Sequence, residues 1–268
     1  MSEPTLRSVT IALDTLEAFF ADTEITLTEL AKRVGVAKST MHRTCGVLVR
    51  RGLLERTPEG TYRLGVRLYE FGHLVTTRST LRAEALPLLV DLRNAIGETV
   101  QLGVPSGGDV LYIERVEGLR ELRFTTEAGR APVHRSSAGK VIAAFRPEVA
   151  ASRLAGGLRP FTGHTIVVPA LFLEELQHVR ERGYAVSVDE GEIGLSSIGV
   201  PVRECLGGAV IAAISTAGPT TRVLAGNEQR HVAILLKAAE RLTVALASGD
   251  YRLGSPSRTQ ATRPRRPT

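Results

Sequence analysis

Lys38, Ser39, Thr40, His42 and Arg43 lie within six consecutive positions, and all five carry side chains able to hydrogen-bond base edges or phosphates. Lys and Arg bring the positive charge that a phosphate attracts. Arg adds a planar fork that fits guanine, while Ser, Thr and His supply short donors and acceptors. The neighbourhood is strongly basic: residues 32–63 hold Lys32, Arg33, Lys38, Arg43, Arg50, Arg51, Arg56 and Arg63 against only Glu55 and Glu59. Between residues 76 and 248 the chain is nearly balanced, with 19 basic against 18 acidic residues. A concentrated cationic stretch in an otherwise neutral chain is the electrostatic footprint of a polyanion partner.

Such side chains read a groove only if an element presents them together, and segment 27–43 has the layout of a helix-turn-helix. Thr26 caps a helix, with Glu29 three residues later completing a capping box. Gly35 supplies the positive φ that ends this helix in a tight turn. Ala31 is small where the next helix crosses, and Val36 and Met41 fill the angle between the two. The five candidate residues then occupy the exposed N-terminal half of the second helix of the pair, the half that enters a major groove. Upstream, Val9, Leu13, Leu16, Phe19 and Phe20 recur at helical spacing, with Ser8 as N-cap. Downstream, 53–56 and 61–64 flank Pro58-Glu59-Gly60 as a hairpin, placing Arg56 and Arg63 on a wing. The competing reading is a three-helix module that docks protein. Spacing, wing and charge favour double-stranded DNA.

A connecting helix is expected over 66–96, broken near Thr76-Thr77-Arg78-Ser79-Thr80 and kinked at Pro87. Beyond it, β-type runs (99–104, 110–116, 122–125, 184–188, 198–202, 209–215) alternate with helical stretches (138–145, 171–182, 228–247). Hairpin-length links at 105–109 and 205–208 favour antiparallel pairing, so the second domain is α+β. Ser136 and Ser137 stand just before a helix, where their hydroxyls and the amides of Ala138 and Gly139 suit a carboxylate. Ser197 and Ser215 fall in apolar strands, where an inward hydroxyl needs a partner: nearby backbone or a ligand. Ser137-Ala138-Gly139-Lys140 also fits the S-x-x-K pattern of acyl-transferring serine enzymes, but the Ser-Asp-Asn and Lys-Thr-Gly partners are absent, as is a G-x-S-x-G elbow. Six histidines and two cysteines show no metal-ligand spacing, and there is no P-loop or dinucleotide fingerprint. No catalytic residue, cofactor or metal is expected. The longest apolar run, 209–214, is far too short for a membrane span, and the N-terminus lacks a secretory layout, so a cytoplasmic protein is expected.

With these motifs in place, the chain from about residue 8 to 247 resembles the IclR-type bacterial transcriptional regulators. The resemblance is carried by 27–43, by Arg51-Gly52-Leu53-Leu54-Glu55-Arg56 with Tyr62-Arg63-Leu64-Gly65, and by three later stretches. These are His134-Arg135-Ser136-Ser137-Ala138-Gly139-Lys140, Gly183-Tyr184-Ala185-Val186-Ser187 leading into 194–202, and Ala212-Ala213-Ile214-Ser215-Thr216-Ala217-Gly218-Pro219. It implies an N-terminal winged helix-turn-helix, a linker helix and a C-terminal GAF-like effector-binding domain. It also implies that the three later stretches converge on one pocket containing Ser136, Ser137, Ala138, Gly139, Ser187, Ser197 and Ser215. Ser187, Ser197 and Ala217 depart from what relatives often carry there, so ligand identity does not transfer. The domain boundaries expected are 1–73, 74–96 and 97–250, followed by a disordered basic tail over 251–268. The function expected is a homodimer, or dimer of dimers, that binds a pseudo-palindromic operator under control of a small effector. The alternative is a ligand-binding protein whose winged helix contacts protein.

Overall fold

The computed structural model describes residues 6–20, 22–77, 80–119 and 129–248. The strand expected at 122–125 and the tail at 251–268 lie outside the described residues.

Three helices open the chain: α1 (Arg7–Glu17), α2 (Leu27–Val34) and α3 (Lys38–Arg50). Helix α1 begins one residue before the expected cap, with Leu6 in the capping position and no side-chain cap, so Ser8 lies inside the first turn. Thr26 does cap α2, its hydroxyl accepting from the Glu29 amide at 3.2 Å. The Glu29 carboxylate turns instead to Arg33 one turn on, leaving the capping box half built. Gly35 ends α2 at φ 71°, and the amides of Gly35 and Val36 close the turn onto the carbonyls of Lys32 and Ala31. Strands β1 (Leu54–Arg56) and β2 (Tyr62–Leu64) form the antiparallel wing, and Ile25 adds a bridge to Tyr62. Leu30, Ala31, Met41, Cys45, Leu48, Leu54 and Tyr62 pack together beneath it. Burial pushes the Cys45 thiol up to about 11, which keeps it a neutral apolar filler.

Helices α4 (Arg67–Thr77) and α5 (Thr80–Ile96) follow, with Pro87 inside α5. The second half is built on one six-stranded sheet: β3 (Thr99–Ser106), β4 (Asp109–Val116), β5 (Arg130–Pro132), β6 (Ala185–Val188), β7 (Leu195–Arg203) and β8 (Val210–Pro219). Its spatial order is β5-β4-β3-β8-β7-β6, with antiparallel pairing throughout. Strand alternation divides its two faces. Val100, Leu102, Ile198, Val200 and Ile214 join α5 and the C-terminal α10 (Glu228–Ser248) in one core. The opposite face carries α6 (Ser137–Phe145), α7 (Pro147–Ala155) and α8 (Pro169–Arg182), packed through Val141, Ile142, Phe172, Leu176 and Ala213. A short α9 (Thr220–Val223) links β8 to α10. The fold is α+β, a sheet sandwiched between helices, and neither α7, α9 nor the short edge strand β5 was signalled by periodicity.

Candidate DNA-reading helix and ligand pocket

At the start of α3, Lys38, Ser39, His42 and Arg43 are exposed and Thr40 is half-buried, so all five sit on the accessible half of the helix. The second face of α3 is anchored by Met41, Cys45 and Leu48, all buried, which fixes the rotation of the helix. The basic stretch is not uniformly available. Arg33 is held by Asp22 at 2.7 Å and by Glu29 at 3.1 Å. Arg63 on the wing donates twice to Glu55, at 2.8 and 3.0 Å, and this pair holds the Glu55 carboxyl below its ordinary range. Arg56, exposed on the neighbouring strand, has no ion-pair partner among the described residues. The wing therefore offers Arg56 freely, whereas Arg63 must exchange a carboxylate for a phosphate.

The second site lies on the α6–α8 face of the large sheet, where a cavity of about 100 Å³ opens over its middle strands. Register assembles its floor. One cross-strand row runs Ser187, Ser197, Ala217, Thr99 over β6, β7, β8 and β3; the next runs Gly199, Ser215, Gln101, Arg115 over β7, β8, β3 and β4. Neighbours in such a row stand about 5 Å apart, so a small molecule on this floor meets several at once. Gly199 has no room for a side chain, since a Cβ there would lie 2.8–3.0 Å from the backbone of Ser137 and Ala138. This close approach seats the first turn of α6 on the sheet, and Arg135 and Ser136 at its start form one wall with Ser187, Gly191 and Glu192.

Arg115 reaches the floor through a β-bulge. Opposite Leu102 and Gly103, strand β4 offers Glu114 and Tyr112, leaving Ile113 as the extra residue. Tyr112 and Arg115, three residues apart, thereby both line the cavity. Ile113 and Val116 pack into the other core, and Glu114 ion-pairs with Arg82 of α5 at 2.7 Å. Burial raises the Tyr112 phenol above its ordinary range, against the opposing pull of Ser136, Arg135 and Arg115.

Four of the expected pocket residues, Ser136, Ser187, Ser197 and Ser215, line the cavity; Ser137, Ala138 and Gly139 do not. All three are buried beneath it, and one of the two amides expected to cradle a carboxylate, that of Gly139, is already engaged. The Ser137 amide donates to Ser197 Oγ at 3.3 Å and the Gly139 amide to Ser136 Oγ at 3.2 Å. Positive charge in the cavity comes from Arg115 and Arg135 instead. Sequence reasoning missed these two along with Thr99, Gln101 and Tyr112. The alternation of polar Thr99 and Gln101 with apolar Val100 and Leu102 was a usable signal, but the bulge hid Arg115 because strict alternation puts it opposite Tyr112.

The S-x-x-K pattern builds no serine nucleophile. Lys140, 1% exposed, donates to the Val186 carbonyl at 3.0 Å and to Glu190 at 2.5 Å, while Ser137 Oγ has no hydrogen-bond partner among the described residues. The ammonium anchors the loop after β6. Thr165 Oγ1 donates to the Glu190 carbonyl, and Asp189 accepts from the Gly194 amide and Thr220, so the loop carrying Gly191 and Glu192 is held at several points. His134, fully buried beside Phe161 and Phe172, bonds the Arg159 carbonyl at 2.9 Å. Burial, aided by Arg153 and Arg135, lowers its pKa below 6.5. A depressed folded-state pKa means that the unfolded chain takes up this proton first as pH falls. His134 should therefore leave stability unaffected above its unfolded value and erode it progressively below about 6.5. Thermal melts at pH 7.5 and 5.5 should show an acid-induced drop that is smaller in His134→Asn, and an equal drop in both chains would remove His134 as its source.

A winged helix-turn-helix joined by helices to a separate α+β ligand-pocket domain is the architecture of a DNA-binding transcriptional regulator. Two family models match: the IclR helix-turn-helix domain over residues 8–58 and the bacterial transcriptional regulator IclR C-terminal domain over residues 73–244. The chain belongs to the IclR family. It is 35% identical over 225 residues to the HTH-type transcriptional regulator XynR of Escherichia coli, covering 82% of this chain and 89% of that protein. It is 32% identical to the HTH-type transcriptional regulator BhcR of Paracoccus denitrificans, covering 90% and 88%. An IclR homologue from Microbacterium hydrocarbonoxydans, solved in complex with 4-hydroxybenzoate, superposes with a TM-score of 0.76 at 31% identity over 90% of this chain and all of that one. Among the described residues no helix is long and apolar enough to cross a membrane.

Proposed function

We propose that this regulator binds a pseudo-palindromic operator as a homodimer or pair of dimers in the cytoplasm, and that a small acid in the sheet cavity sets its operator affinity. Lys38, Ser39, Thr40, His42 and Arg43 read the major groove, and Arg56, then Arg63, meet phosphates from the wing. Val9 and Leu13 on α1, which share a groove with Thr40 and Arg43, and Val66 and Phe71 beside and on α4 are exposed apolar groups. Pairing two chains there brings two reading helices to one duplex.

The observation that carries the reading is the bulged strand β4. Its cavity face presents Tyr112 and Arg115, while its other face holds α5, the second helix after the winged unit, through Glu114 and Arg82. A ligand that draws on Arg115 acts on a strand fastened to the connection between the two halves of the chain. DNA reading is tested by Arg43→Ala in a mobility-shift assay on the DNA upstream of the regulator's own gene. Loss of a base-reading arginine costs about 1–3 kcal/mol on the specific site, so affinity there should fall tenfold or more while random duplex is affected less. Equal losses on both would make Arg43 a phosphate contact.

A further inference from the structure

The basic groups around the reading helix differ in how freely they can meet a polyanion. Lys38, Arg43 and Arg56 are exposed and have no ion-pair partner among the described residues. Arg33 is sewn into the body of the winged unit by Asp22, Glu29 and the Ala18 carbonyl together. Arg63 stands between these extremes. Among the described residues it meets Glu55 alone, its register partner across the wing. Its Nε and Nη2 both donate to one oxygen, Oε2, at 3.0 and 2.8 Å, so the fork-on-fork geometry that makes an arginine–carboxylate pair strong is not used. The two side chains are 55% and 41% exposed, where water and salt weaken the attraction.

The backbone beneath the pair is fixed. Leu54 and Tyr62 are buried, Ile25 and Tyr62 exchange two backbone hydrogen bonds at 2.8 and 2.9 Å, and Thr61 bonds both Thr57 and Glu24 beside the turn. Neither partner is carried away by its strand, so the pair opens by side-chain rotation. The Val66 backbone also acts on the Glu55 carboxyl and, with Arg63, favours its charged form. A closed pair cancels its own charges and offers a phosphate little, while its opening costs about as much as one phosphate contact returns. That near-balance permits discrimination. A free arginine binds every duplex and a deeply held one binds none, but a weakly held one is released where the duplex is forced against it.

We propose that Glu55 determines specificity through Arg63: it withholds this arginine from random DNA and yields it where the seated reading helix brings the wing onto the sugar–phosphate backbone. Glu55 is then a positioning residue, whose part is to subtract one phosphate contact per chain from every non-specific encounter. Affinity for the operator is kept, and affinity for the large excess of other sequence is lowered. This rests on the reading of the winged unit as a DNA-binding head and assigns a role to a residue outside the reading helix.

The test uses the full-length chain, the duplex that the parent selects from a random library, and a random-sequence duplex of equal length, with affinity for each followed against salt. Glu55→Gln should tighten the random duplex severalfold and steepen its dependence of log K on log salt by about 0.9 for each wing engaged. The selected duplex should change less, so the ratio between the two falls. The same substitution in an Arg63→Gln chain should lose most of both effects. Arg63→Gln alone should weaken the selected duplex severalfold more than the random one. Because the pair is exposed, melting temperatures should stay at the parent's, and the salt slope is a readout that a merely structural role would not move. Tightening of equal size with and without Arg63 would mean that Glu55 acts by its own repulsion. Equal weakening of both duplexes by Arg63→Gln, or no change of the random duplex in Glu55→Gln, would mean that the arginine is never withheld. Each of these overturns the proposal and leaves the DNA reading intact. Failure of the parent to select any duplex would overturn both.

Discussion

Glu114→Gln and Arg82→Gln should each yield a regulator that still binds operator and still binds its acid, but in which the second event no longer affects the first. The two side chains meet at 2.7 Å between β4 and α5, with Glu114 mostly buried. Neither lines the cavity, and neither belongs to the winged unit. What they join is a strand whose opposite face carries Tyr112 and Arg115 and the second of the two helices that follow the winged unit. Coupling between two sites is a free-energy difference, commonly about 1–3 kcal/mol or roughly 5–150-fold in affinity. Operator affinity measured by fluorescence anisotropy with and without a saturating small acid that binds the cavity should differ by a factor in that range for the parent and by nearly nothing for either variant. The reversed pair, Arg82→Glu with Glu114→Arg, should recover much of the response because the attraction is restored. If both single variants respond like the parent, the coupling travels another way, and the contact of Arg130 on β5 with the Phe20 ring is the next place to look.

A large stability loss should come from Gly139→Ala. A Cβ at this position would lie 2.5 Å from the Val133 carbonyl oxygen and 2.8 Å from its carbon, and closer still to its Cα. These are backbone atoms of the segment leading into α6, so no rotamer change relieves the overlap. Either the helix lifts from that segment, or the segment shifts and carries Arg135 and Ser136 out of the cavity wall. Overpacking of this kind typically costs about 1–3 kcal/mol and occasionally more, and with rigid backbone on both sides the upper end is expected. Urea melts should show the loss, with ligand binding in the cavity weakened in whatever folded fraction remains. Gly46→Ala in α3 is the informative contrast. Its Cβ would meet only the Arg50 side chain at 3.6 Å, so helix propensity dominates, and the variant should gain about 0.5–1 kcal/mol. A Gly139→Ala chain as stable as the parent would mean that α6 is less tightly seated than its packing indicates.

The two sites were unequally legible in the sequence. The reading helix is local: Thr26, Ala31, Gly35, Val36 and Met41 each answer to a neighbour within a few positions, so their spacing carries the geometry. The cavity floor is assembled by register between strands more than a hundred residues apart, as with Gln101 and Ser215, and spacing along the chain says nothing of that. Motif resemblance pointed to Ser136, Ser187, Ser197 and Ser215, which do line one cavity, but gave no hint of the Arg115 and Arg135 side chains that line it with them. A helix N-terminus looks like a carboxylate cradle until the hydroxyls of Ser136 and Ser197 are seen to take the amides of Gly139 and Ser137. Arg115 was hidden by a single extra residue in β4, and Arg63, counted toward the basic wing, turns out to face Glu55. In both strands the error is the same, since charge was read along the chain while its partner lies across it.

Selection of bound sequences from a random duplex library by the full-length chain tests the central claim most directly. A regulator that reads DNA through the start of α3 and pairs its reading heads should enrich two half-sites related by two-fold symmetry at a fixed spacing, near one helical turn or a multiple of it. Enrichment should collapse when Arg43→Ala replaces the parent. No enrichment over the starting library, or the same symmetric site recovered equally well by Arg43→Ala, would contradict it.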